Sequence, residues 1–119
     1  MVQTTEIARH RAVVLDELAM LASASAQAEY EKNVPHVFIP AELIERFASD
    51  VYRPKCAEFV DAFTESELKD LARVYGLVFA ASERMQKTTV HSVADLQKLP
   101  EWRQVMSLAK TLDDRFRRA

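Results

Sequence analysis

The sequence predicts an all-α fold: a single compact bundle of about five or six helices, led by a long N-terminal helix. Three observations predict it. Apolar residues recur at three- and four-residue steps along most of the chain. The 119 residues hold one glycine, Gly76, and tight two-residue hairpins lean on glycine. Two helix-start signatures, Thr64-Glu-Ser-Glu67 and Ser92-Val-Ala-Asp95, stand directly before apolar runs. At this length, residues 1–119 make one domain with a core large enough to need no metal or disulfide staple.

The first segment, about Thr5 to Lys32, reads as one long helix. Ile7, Val14, Leu15, Leu18, Leu21, Ala22 and Ser25 form its stripe. Thr4 or Thr5 is the expected cap, with Glu6 near the positive helix end. Residues 22–28 are small, so another helix is expected to approach closely there, from this chain or a second copy. Residues 33–40 carry Pro35 and Pro40, and each pre-proline residue is pushed toward extended geometry. Val34, Val37, Phe38 and Ile39 make this an extended connector expected to lie over the core.

A helix is expected from Pro40 or Ala41 to Tyr52, with Leu43, Ile44, Phe47, Ala48 and Val51 inward. Pro54 suits the first position of a short third helix that buries Cys56, Phe59, Val60 and Phe63. The Thr64 capping box opens a helix with Leu68, Leu71, Ala72, Tyr75, Val78, Phe79, Ser82 and Met85. That helix either runs on to about Lys87 or stops at Gly76. Ser92 opens a turn or two with Val93, Leu96 and Leu99. Pro100 opens the last helix, where Trp102, Val105, Met106, Ala109, Leu112 and Phe116 form the stripe. Arg115, Arg117 and Arg118 sit at its negative end.

Composition removes most enzyme chemistries. One glycine leaves no dinucleotide fingerprint, P-loop or serine-hydrolase elbow. A lone Cys56 forms no internal disulfide, which suits a reducing compartment, and the first residues show no secretory signal. The longest uncharged run, Leu18 to Ala28, has 11 residues and is too short for a bilayer. The cytoplasm is the expected location, with no membrane partner. Net charge is −2, which gives no whole-protein pull toward nucleic acid.

The titratable candidates each have a plain structural reading. His10, His36 and His91 are far apart; Glu6 and His10 share a helix face, but two ligands do not make a metal site. Cys56 lies near Arg53 and Lys55, and reads as a small hydrophobe packed with Phe59 and Val60. The paired carboxylates, such as Glu58 with Asp61, fall on expected wet faces rather than in a dry cleft. No cofactor, metal or catalytic residue is expected, and the chain reads as a non-enzyme.

Two features bear on partners. Leu71-Ala-Arg-Val-Tyr-Gly-Leu77 resembles the first helix and turn of a helix-turn-helix DNA reader, with residues 80–87 in place of the recognition helix. That resemblance implies a break at Gly76 and a DNA-binding regulator as the alternative function. The stronger feature is charge: from Cys56 to Asp70 five acids stand against one base, while Lys87 to the end carries seven bases and four acids. Glu42, Glu45, Asp50, Glu58, Asp61, Glu65, Glu67 and Asp70 are expected on outer helix faces, merging into one negative ridge. Such a ridge steers and orients a basic protein. The expected function is therefore a binding module, in its most concrete form an immunity or antitoxin-like protein that occludes a basic toxin.

Overall fold

The computed structural model describes residues 4–118. They form α1 (Thr4–Ala22), α2 (Ala24–Asn33), α3 (Ile39–Glu45), a π-helical turn (Arg46–Val51), α4 (Ala57–Asp61), α5 (Glu65–Lys87), α6 (Val93–Leu96) and α7 (Pro100–Arg118). No strand occurs among the described residues, and the all-α bundle is as expected. None of the helices described is long and apolar enough to cross a membrane.

The core lies among α1, α5 and α7, with α7 packed on both long partners. Val14, Leu18 and Leu21 of α1 meet Val105, Ala109 and Leu112 of α7 and Leu71, Val74 and Val78 of α5 in one buried cluster. The remaining short elements close its other side. Trp102, Phe47, Phe59 and Phe116 are its largest fully buried side chains.

Two of the polar residues tie distant parts of the chain together through four hydrogen bonds each. Arg11 donates from Nη1 to the Ala62 carbonyl (3.1 Å) and to Glu67 Oε1 (2.9 Å), and from Nη2 to Glu67 Oε2 (2.9 Å) and the Phe116 carbonyl (3.1 Å). Its guanidinium also lies over the rings of Phe63 and Phe116. Gln27 is wholly buried. Its Nε2 donates to the Met20 and Leu21 carbonyls, while its Oε1 accepts from Trp102 Nε1 and Gln97 Nε2.

Gln27 explains the first departure from expectation. The predicted single helix over 5–32 is two helices. Ser23 is extended (φ −113°, ψ 109°), and its Oγ accepts from Ala26 N to cap α2. The end of α1 would strand its last carbonyls; Gln27 turns back and satisfies two of them. Of residues 22–28, Ala24, Ser25 and Ala28 are exposed, while α6 approaches on the other side, where Gln97 Nε2 donates to the Ala24 carbonyl at 3.1 Å. Both threonines proposed as caps are helical, so the cap of α1 lies outside the described residues.

The connector over 33–40 is shorter than expected. α2 runs to Asn33 and α3 already starts at Ile39. Ile39 and Pro40 are buried, yet Val37 and Phe38 point to solvent. The following helix widens after Glu45: Tyr52 N donates to the Phe47 carbonyl, five residues back. The extra residue in that turn accompanies burial of both Phe47 and Val51. Pro54 precedes α4 rather than starting it; Cys56 occupies the cap position, and Val60 is exposed.

The Thr64–Glu67 box is present in both directions, with Thr64 N donating to Glu67 Oε1 and Glu67 N to Thr64 Oγ1. From there α5 runs unbroken through Gly76. Its buried residues are Glu67, Leu71, Val74, Val78 and Ala81. The expected stripe therefore faces about one residue away from the real one: Ala72, Tyr75 and Phe79 lie outside. Gly76 is exposed, has no positive φ, and an added Cβ would meet no atom within 4 Å. It serves neither a turn nor close packing inside this chain, at a helix cost of about 1 kcal/mol relative to alanine.

Gln27→Ala removes four hydrogen bonds and leaves the buried Trp102 N–H without a partner. Destabilisation of about 2–4 kcal/mol is expected, read from the urea midpoint at unchanged m-value. A loss below about 0.5 kcal/mol would show that α2 is not fixed by this residue.

Candidate functional site

The acids expected to form one ridge are placed in three settings. Glu42 and Glu45 lie one turn apart on α3, the first half-buried and the second exposed. Asp50, on the π turn, borders a recess of about 210 Å³ whose other walls are Arg9, His10, Val13, Val14, Val51 and Arg53. It thus sits among cations. Glu58 of α4 is close enough to His10 and Arg53 to feel their charge. Asp61 is exposed at a second hollow, shared with Arg11, Thr64 and Glu67.

The three acids of α5 behave differently. Glu65 points to solvent and reaches Lys69 at only 3.9 Å, a pair worth little at such exposure. Glu67 is a correction: it was expected on an outer face, and it is 8% exposed, clamped by Arg11 and engaged in the cap. The reason is its phase, since 67, 71, 74, 78 and 81 share the inward side of α5. Asp70 is held by Arg115 at 3.0 Å and lies 3.7 Å from Arg73. These two are spent inside the fold. Glu42, Glu45, Asp50, Glu58 and Asp61 have no ion-pair partner within 4.0 Å among the described residues.

Cys56 is half-buried, and its Sγ donates to Glu58 Oε2 at 3.0 Å. That thiol hydrogen bond is the main cause holding the Glu58 carboxyl below its ordinary range. Among the described residues no group of three or more His, Cys, Asp and Glu side chains could hold a metal ion. The helix-turn-helix resemblance implied a bend at Gly76; the continuous α5 replaces it, because no residue there leaves the helical conformation.

Sequence reasoning missed a buried ion pair beside the π turn. Glu17 is 2% exposed, and its Oε2 accepts from Arg46 Nη2 at 2.8 Å. Arg46 also lies over the Tyr30 ring at 5.3 Å. Glu17 Oε1 has no hydrogen-bond partner. Burial pushes the Glu17 carboxyl above its usual range, against the pull of Arg46. Its phase with Val14, Leu18 and Leu21 was a readable signal. Hydrogen bonds from Arg11 are the main cause that draws Glu67 the other way, below its usual range.

Comparison of the chain with protein-family models, curated proteins and solved structures returns no match.

The two glutamates give opposite pH dependences. The lowered carboxyl of Glu67 stabilises the fold above its unfolded-state pKa, and that contribution is lost as pH falls through the folded value. The raised carboxyl of Glu17 favours the fold at acid pH, and that contribution is lost as pH rises from the ordinary glutamate range through the folded value. In chemical denaturation between pH 3 and pH 7, Glu67→Gln is expected to flatten the acid limb and cost about 1–3 kcal/mol at pH 7. Glu17→Gln is expected to remove the decline on the neutral side. Parallel curves for wild type and both variants would refute these assignments.

Proposed function

We propose that the chain is a non-enzymatic protein-binding module of the cytoplasm that covers a basic partner, in the manner of an immunity protein or antitoxin masking a toxin. One observation carries this reading. The segment from Glu42 to Asp61 holds five carboxylates with no ion-pair partner among the described residues, while Glu17, Glu67 and Asp70 are matched by arginines. Unmatched surface acids raise the encounter rate with a cationic protein and fix its register. Exposed apolar side chains accompany them: Phe38 directly before α3, at 47% exposure, and Val60 beside Asp61, at 37%. Interfaces combine such apolar anchors with a charged rim.

The reading rests most on Glu42 and Glu45 of α3 and Asp61 of α4; Asp50 and Glu58 lie next to the bases of the recess, and Glu65 stands apart on α5.

The test is affinity capture on the immobilised full chain, wild type against Glu42→Lys with Glu45→Lys and Asp61→Lys. A partner of basic isoelectric point is expected on the wild type at low salt. The triple variant is expected to bind it at least tenfold more weakly, through a slower on-rate, and 0.5 M salt to release it. A partner held equally by both chains, or one whose binding ignores salt, overturns the assignment of this face.

A further inference from the structure

The outer face of α5 carries a charge pattern that complements its own reverse. Glu65, Lys69, Glu83 and Lys87 lie on one line down the helix, with Ala72, Gly76 and Ala80 between them. Six of the seven are exposed and Ala80 is half-buried. The line is symmetric about Gly76: Glu65 stands eleven positions before it and Lys87 eleven positions after it. An eleven-residue spacing is about 3.67 residues per turn, close to the natural helix, so the line runs nearly straight.

Laid antiparallel with glycine over glycine, a second copy brings its Lys87 opposite Glu65, its Glu83 opposite Lys69 and its Ala80 opposite Ala72. Every charge then meets its opposite. The same helices laid parallel and in register set Glu on Glu and Lys on Lys. The pattern therefore selects both the occupant and its direction. We propose that this unpartnered face is the contact of a two-fold symmetric, antiparallel dimer of this chain.

Two independent features agree. Gly76 is the chain's only glycine, and nothing within the chain approaches the space a Cβ would fill. On a dimer axis, the missing Cβ lets two backbones come close. Phe79, at 54% the most exposed large apolar side chain among the described residues, borders the line on the side of Tyr75 and would be covered at the edge of the contact. A self-complementary patch of this kind is what a two-fold interface requires. The contact uses none of the acids of α3 and α4, so it stands or falls apart from the basic-partner reading.

Sedimentation velocity of the full chain, from about 1 to 300 μM in low salt, is expected to show a weak monomer–dimer equilibrium of the kind small interfaces give. Raising salt to 0.5 M is expected to weaken it about tenfold. Glu65→Lys with Glu83→Lys makes the line all basic, and Lys69→Glu with Lys87→Glu makes it all acidic. Each variant alone is expected to stay monomeric, and their mixture to form a heterodimer. Gly76→Leu has room in the protomer and improves helix propensity; it is expected to keep the fold by circular dichroism and lose the dimer. A monomer at every concentration overturns the proposal. So does a dimer that survives Gly76→Leu, or one whose charge-reversed variants do not pair with each other. A dimer lost with Gly76→Leu but indifferent to the charge reversals overturns the antiparallel register.

Discussion

Arg11 of α1 sets one guanidinium against three other helices at once. From α1 it reaches the end of α4 at Ala62, the first turn of α5 at Glu67 and the last turn of α7 at Phe116. The chain must bring residues separated by 105 positions to the same point for this to happen. Its partners are also those that most need a cation. A helix C-terminus presents unpaired carbonyls, and a buried carboxylate is costly unless it is paired and hydrogen-bonded. Arg11 meets both needs with a planar, bidentate fork that lysine could not supply. The guanidinium also lies 5.2 Å and 5.7 Å from the ring centroids of Phe63 and Phe116, which shield part of it from water.

This arrangement decides which acids reach the surface. Glu67 serves three groups: Arg11, its own capping position and, through Arg11, the end of α7. Asp70, one turn further on, is tied to Arg115 on the same flank. The basic end of α7 is thus turned against the acidic start of α5, and much of the charge asymmetry seen along the chain cancels within the fold. The five acids from Glu42 to Asp61 take no part in that cancellation, and the proposed binding face is drawn from them.

Helix identity was largely legible from periodicity and caps. The Thr64 box, the start of α7 at Pro100 and the stripe from Trp102 to Phe116 all rest on local chemistry, which sequence spacing records directly. The break at Ser23 was not legible, because its cause is Gln27, whose side chain bonds back to carbonyls six and seven residues away and onward to Trp102. The π turn was hidden for a similar reason: a widened turn leaves the apolar spacing nearly helical, and its companion Glu17 lies on another helix. The acids were legible as acids. Their commitment to arginines was not, since Arg11 and Arg115 approach α5 from opposite ends of the sequence.

The rotation of α5 is the most informative of these differences. Bulk alone favours Tyr75 and Phe79 as core residues, yet the helix buries Val74, Val78 and Ala81 instead. Glu67 must face Arg11 to be paired, and Leu71 follows it one turn later; with 3.6 residues per turn, fixing these two fixes the inward side of the whole helix. Tyr75 is then carried to the boundary, where its ring lies 5.1 Å from that of Tyr52 at a tilt of 32°, and Phe79 is carried into solvent. The same rotation brings Ala72, Gly76 and Ala80 to the crest. The burial of Glu67 on one side of α5 and the exposure of Phe79 and of the Ala72–Gly76–Ala80 crest on the other follow from a single angular constraint.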